Sequence, residues 1–225
     1  MIVELSYLIG KLNPIEVLGL LKPKLTWRAR FGDGQGKSNQ TSNIELSAHN
    51  GTHIDVPFHV LPDGKTITDY DISDFVFDKV QIIDCPKGDN EKINKEDLQI
   101  YAEDLKNCDL LLIYTGFSKY RSSDVERYVK KSPGFSVEGA QYIVENFPNI
   151  RCIGVDSMGA ENIMEGRKTS WPVHKKLLSS NPHYFHVEDM NIAPVVGKII
   201  KRVYIAPLRM SGLEASPVTV IAEVE

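Results

Sequence analysis

Short apolar runs recur along the chain, and their periodicity separates strands from helices. Residues 79–84, 109–114, 151–155, 199–206 and 218–224 read as strands. Leu110, Leu111, Leu112 and Ile113 are apolar without a break, which predicts a strand covered on both faces. The last run alternates instead, with Thr219 and Glu223 on one side. Asn13-Pro14-Ile15-Glu16 has the order of a helix start: a capping residue, a proline at the first helical position and an acid in the first turn. Ser136 precedes Val137, Ala140, Val144 and Phe147, which fall on one helical face. Residues 96–105 form a further, weaker helical pattern. Residues 22–43 and 158–171 show no clean period and read as long loops, which inside a compact domain are often functional. Nothing resembling a linker or repeat interrupts the chain. The expectation is a single α/β domain over residues 1–225, with a mixed sheet and helices.

Composition narrows the function classes. A chain of 225 residues with 42% hydrophobic and 25% charged residues suits one ordinary globular core. The net charge of −4, with signs interleaved, excludes a general phosphate-backbone binder, so no nucleic-acid partner is expected. No run approaches the ~20 apolar residues that cross a bilayer, and the N-terminus lacks a basic start and a long apolar stretch, so the expectation is no membrane and a cytoplasmic location. Cys85, Cys108 and Cys152 are odd in number, widely separated and set in or beside apolar runs, which reads as buried reduced thiols. There is no C-x-x-C pair for a zinc ribbon or redox site.

The chemistry concentrates in residues 49–59. Three of the chain's 6 histidines fall there. His49, His53, Asp55 and His59 are all odd-numbered, so an extended chain turns all four to one face, while Gly51 and Pro57 argue against a helix. A straight strand would hold His49 and His53 ~13 Å apart, too far for two imidazoles on one ion at ~2.1 Å each. Gly51 between them predicts a bend that brings the rings together. Two imidazoles and a carboxylate suit a divalent ion such as zinc or manganese, and the carboxylate can bridge two ions. His59, beyond Pro57, is better placed as a general acid/base than as a further ligand.

Other signals fail on inspection. The stretch from Gly32 to Lys37-Ser38 suggests a phosphate loop, but Phe31 stands where the first glycine belongs and no buried strand precedes it. His49-x-x-x-His53 lacks the glutamate and the helix of a zinc protease. There is no G-x-S-x-G elbow for a serine hydrolase, and Cys152 beside Arg151 offers only a hint of an activated thiol.

His49-x-Gly51-Thr52-His53-x-Asp55-x-Pro57-x-His59 resembles the signature of the cyclase family of metal-dependent hydrolases, which includes bacterial kynurenine formamidase and isatin hydrolase. Further blocks resemble family landmarks in the right order: Leu5-Ser6, the run from Asp109 into Thr115-Gly116-Phe117, Pro133-Gly134-Phe135-Ser136, Gly154-Val155-Asp156-Ser157, and Ala206-Pro207-Leu208 followed by Gly212 and Ser216-Pro217. The resemblance implies a fold of the swivelling β/β/α type and one or two divalent ions. It assigns His49, His53 and Asp55 as metal ligands and His59 as proton donor and acceptor. It adds a later histidine, His174 in front of a Leu-Leu pair, and a later glutamate, Glu188, with His183, His186 and Asp189 as local competitors. Trp27, in the loop where the formamidases carry an aromatic residue, is implied to stack on substrate. Tyr114 stands where an arginine often precedes the Thr-Gly pair, and Ser157-Met158-Gly159 departs from the usual Thr-Pro-Ser. The expected activity is hydrolysis of a small amide, formamide or lactam. The alternatives are a metal-dependent cyclase or dehydratase, and a non-catalytic metal-dependent binding protein. The family usually assembles as a homodimer or larger homo-oligomer.

Overall fold

The computed structural model describes residues 1–10, 12–32, 34 and 38–225. In chain order the strands are β1 (Ile2–Glu4), β2 (Lys24–Ala29), β3 (Thr41–Glu45), β4 (His53–Asp55), β5 (Val76–Phe77), β6 (Val80–Asp84), β7 (Lys92–Ile93), β8 (Leu110–Tyr114), β9 (Gly134–Phe135), β10 (Cys152–Val155), β11 (Phe185–Glu188), β12 (Ile200–Pro207) and β13 (Ala215–Val224). The helices are α1 (Lys95–Gln99), α2 (Ala102–Leu105), α3 (Tyr120–Ser123), α4 (Val125–Lys130), α5 (Val137–Asn146), α6 (Ile163–Thr169) and α7 (Pro172–Leu178). The main sheet runs β5-β12-β13-β4-β11-β10-β8-β6, with β1 also on β13. Strands β6, β8, β10 and β11 are parallel, whereas β4, β13, β12 and β5 pair antiparallel, so the sheet is mixed as expected. β12 also packs against β6 at the far end, so the sheet nearly closes on itself.

The core lies on both faces of this sheet. Leu110 and Leu112 of β8 join one apolar cluster with Phe185, Val187 and Val220, while Leu111 and Ile113 join another with Ala140, Ile143 and Leu177 under the helices. That is why β8 is apolar at every position. All three cysteines are buried and free. Among the described residues no helix is long and apolar enough to cross a membrane.

Several expectations need correction. Asn13 does not cap its helix: its side-chain amide donates to the Gly10 carbonyl (2.7 Å) and to Glu16 Oε1 (2.9 Å), and the short 3₁₀ turn Pro14–Leu18 ends at Gly19. α5 is capped by Ser136, whose Oγ accepts from the Gly139 N–H. Its buried stripe runs Ala140, Ile143, Phe147, with Val144 only partly buried and Val137 exposed, so the face is turned by about one residue. Residues 96–105 break into α1 and α2. Residues 22–43 are not merely a loop, because β2 and β3 pair as a hairpin with Leu25 opposite Ile44 and Trp27 opposite Ser42. Within this stretch, Asp33, Gln35, Gly36 and Lys37 of the phosphate-loop motif lie outside the described residues. Residues 158–171 contain α6, whose cap is legible afterwards: Asn162 Oδ1 accepts from the Glu165 N–H.

Candidate metal centre

β4 has three residues, and it is held between β11 and β13. On β11, His186 pairs with Asp55 and Glu188 with His53. Residues opposite each other across an antiparallel pair share a face, so His53, Asp55, His186 and Glu188 form one polar square within the sheet. Ile54 and Val187, between them, face the apolar core. All four polar side chains are buried.

The bend predicted at Gly51 is present. Its φ is +67°, a conformation that favours glycine, and the His49 and His53 rings stand 4.9 Å apart. His53 Nδ1 lies 2.9 Å from the Gly51 carbonyl, an acceptor to which it can only donate, and this turns Nε2 towards the cluster. His174 arrives from α7. There Nδ1 lies 3.1 Å from Glu161 Oε2, so a buried carboxylate sets the ring's orientation and turns Nε2 to the cluster. Glu188 Oε1 accepts the Ala160 N–H at 2.7 Å.

The two carboxylates each look two ways. Asp55 Oδ1 is 3.0 Å from His49 Nδ1 and 3.6 Å from His53 Nε2, whereas Oδ2 is 3.5 Å from His186 Nε2, 3.9 Å from His59 Nε2 and 4.0 Å from His174 Nε2. Glu188 presents Oε2 to His53 (3.5 Å) and Oε1 to His174 (3.2 Å) and His186 (3.4 Å). Two ligands on one ion at ~2.1 Å sit roughly 3.0–3.5 Å apart for bond angles near 90–110°, close to this spacing. The nitrogen and oxygen donors therefore fit a divalent transition ion, or two ions sharing the carboxylates.

The charges agree with that fit. Burial disfavours a charged imidazole at His49, yet Asp55 and Glu214 outweigh it and lift the pKa to about 10. His174 is likewise lifted to about 10, burial opposing and Glu161 and Glu188 prevailing. Burial pushes the Asp55 and Glu188 carboxyls up, but the surrounding imidazoles hold both below the usual carboxylate range. Two buried carboxylates this close to each other call for compensating positive charge. His59 moves the other way: burial, helped by His49 and His174, overcomes Asp55 and lowers its pKa.

The cluster floors a cavity of about 190 Å³. Its walls are apolar: Ile15, Leu18, Leu20, Met158, Ile163 and Trp171, with Arg167 also lining it. Ser170 (φ 62°) and Trp171 (φ 60°) are consecutive non-glycine residues in the left-handed region, a costly conformation that often marks a functional segment. Gly166 makes the indole's seat, since a Cβ there would meet the Trp171 ring at 2.3 Å.

Each implied site residue can now be placed. His49, His53, Asp55, His59, His174 and Glu188 converge on the cavity floor. Of the competitors, Asp189 is taken up by a buried bidentate pair with Arg121 (2.6 and 2.7 Å) and by the Tyr128 hydroxyl. His183 is exposed beside Asp74. His186 joins the cluster. Trp27 lies on the β2–β3 hairpin, 43% exposed, and is not among the cavity's lining residues; Trp171 is the indole there. Glu161, Glu214 and Trp171 were not anticipated. For His186 a signal existed, because His186-x-Glu188 repeats the spacing of His53-x-Asp55.

A mixed α/β fold carrying a buried histidine and carboxylate cluster under an apolar cavity defines a class of candidate metal-site proteins. Residues 3–162 match the family described as Putative cyclase, and the chain belongs to that family. An uncharacterized protein of Methanocaldococcus jannaschii is 32% identical over 181 residues, 80% of this chain and 81% of its own. A kynurenine formamidase of Bacillus cereus is 26% identical over 196 residues, 87% of this chain and 86% of its own. The isatin hydrolase A of Labrenzia aggregata shares the fold, with a TM-score of 0.79 at 22% identity, covering 99% of this chain and 93% of that one.

Proposed function

We propose that this protein is a hydrolase that cleaves a C–N bond in a small amide, formamide or lactam, using one or two divalent ions, zinc or manganese. The observation that carries this reading is the two-way presentation of Asp55 and Glu188 between His49 and His53 on one side and His174 on the other. These five residues would hold the metal. A bound divalent ion supplies Lewis acidity, making a water easier to deprotonate and a carbonyl easier to attack. His59 lines the cavity with its pKa lowered, so its neutral imidazole accepts the water's proton and returns it to the leaving nitrogen. Trp171 and its apolar neighbours hold an aryl or similarly flat body and keep bulk water from the reacting bond.

A panel of N-formyl aryl amides, lactams and lactones, assayed with zinc or manganese and analysed by mass spectrometry, tests the reading. Products that have gained one water are expected from the amides or lactams. Loss of water or ring closure would establish the cyclase or dehydratase alternative. The absence of turnover across the panel would favour a metal-dependent binding protein, a role for which His59 has no obvious use.

The working unit we propose is a homodimer or larger homo-oligomer. A lone two-stranded hairpin is marginal in water, yet β2–β3 exposes Leu25, Trp27 and Ile44, and Phe31 near its tip is exposed too. A second copy covering these side chains would bury them and bring Trp27 towards a neighbouring cavity, the setting in which it would meet substrate. Gel filtration with light scattering should give at least twice the mass of one chain, and L25S/I44S should shift it towards the monomer. Three free buried cysteines accord with a reducing, cytoplasmic setting.

A further inference from the structure

We infer that His186 is a metal ligand in its own right, completing with His174, Asp55 and Glu188 a four-ligand position on the inner side of the cluster. The inference rests on the metal-hydrolase reading and extends it by one residue. His186 is fully buried, and neither ring nitrogen has a hydrogen-bond partner. Buried imidazoles ordinarily donate one N–H to a carbonyl or carboxylate, as His53 and His174 do through Nδ1. A strand position with no use for the ring's polarity would be cheaper to fill with an apolar residue.

The ring is aimed at the place an ion would occupy. Its Nε2 lies 3.5 Å from Asp55 Oδ2 and 3.4 Å from Glu188 Oε1, the same two oxygens that face His174 Nε2. The His174 and His186 rings are 4.9 Å apart and nearly perpendicular. All four donor atoms lie within 4.8 Å of one another, and all four residues are buried. The other grouping, His49, Asp55 and His59, is less enclosed, with His49 and His59 only partly buried.

The two sides of the cluster therefore differ in kind. The inner side offers two nitrogens and two oxygens from the protein, a closed set suited to holding an ion firmly. Of the four, His174, Asp55 and Glu188 also line the cavity, while His186 lies behind it; His49 and His59, on the other side, are only partly buried and leave more room for substrate. An ion held by His174, His186, Asp55 and Glu188 would be the more firmly retained one.

Metal content per chain, measured by plasma mass spectrometry after dialysis of the zinc-loaded full-length protein against a graded chelator series, tests this independently of activity. His186→Leu, which fills the strand position with an apolar side chain, should lose the tightest-held ion at least tenfold more readily than the wild type. His186→Cys, which restores a zinc ligand, should recover most of the difference. Cobalt-loaded wild type and His186→Leu should also differ in their visible absorption. Equal metal retention and equal cobalt spectra in the two would overturn the inference and leave the hydrolase reading standing. A wild type that retains no stoichiometric ion would overturn both. Should His186→Leu fail to fold, as judged by circular dichroism, the decision passes to His186→Gln: retention equal to wild type refutes the role, and weakened retention supports it.

Discussion

Replacing Asp55 by asparagine is expected to abolish turnover and to strip the protein of its metal. Asp55 is 1% exposed and stands where both sides of the cluster meet. Its Oδ1 faces His49 and His53, and its Oδ2 faces His59, His174 and His186. An asparagine keeps the shape but loses the charge, and one of the two positions becomes an N–H donor unable to bind a cation. Outer-shell partners of metal sites cost ~10–100-fold in affinity or activity; a carboxylate shared by both sides should cost more, on the order of 10³-fold or beyond in kcat/KM. Metal analysis should show a parallel loss. A D55N protein that keeps both its metal content and more than about a tenth of its activity would rule out Asp55 as the shared ligand. Glu188→Gln provides the matching comparison, because Glu188 also divides its oxygens between the two sides.

How much of this was readable beforehand depended on what each strand buries. β8 is legible because Leu110 to Ile113 meet apolar neighbours on both faces. β4 and β11 do alternate, with Ile54, Phe185 and Val187 in the core and His53, Asp55, His186 and Glu188 on the other face, but at three and four residues they are too short for the period to stand out. The convergence of residues 49–59 was legible because Gly51 and the odd-numbered spacing imply a bent, one-faced array, and the rings do come together. His174 and Glu188 came from family resemblance; nothing local marks His174, and the only local mark on Glu188 is the His186-x-Glu188 spacing. Trp171 was hidden for a different reason. Its position depends on two consecutive left-handed residues and on the absence of a side chain at Gly166, a tertiary fit that no local pattern encodes. Trp27 illustrates the converse. An aromatic residue in a loop reads as a substrate contact, but its place on an exposed hairpin makes any such contact depend on a neighbouring copy.

Replacing His59 by alanine should separate proton transfer from metal binding. His59 lies on the short 3₁₀ turn Pro57–His59, just past the bent segment, and its ring lines the cavity. Its Nε2 is 3.9 Å from Asp55 Oδ2, and its ring is 4.6 Å from His49 and 5.9 Å from His174. Unlike His49 and His174, whose carboxylate neighbours lift their pKa values, His59 has its pKa pushed down and is disposed to act as a neutral acceptor. Removing a positioned acid/base costs ~10²–10⁴-fold, so kcat should fall by about that factor. KM should change little, because the apolar walls are untouched. Metal content should stay near the wild-type value, since five other donor residues remain. Because the His59 side chain is only partly buried, the truncated site leaves a gap that added imidazole can enter, and partial rescue by imidazole is expected. Loss of metal in H59A would instead make His59 a ligand alongside His49 and Asp55. Retained metal with undiminished turnover would remove His59 from the chemistry altogether.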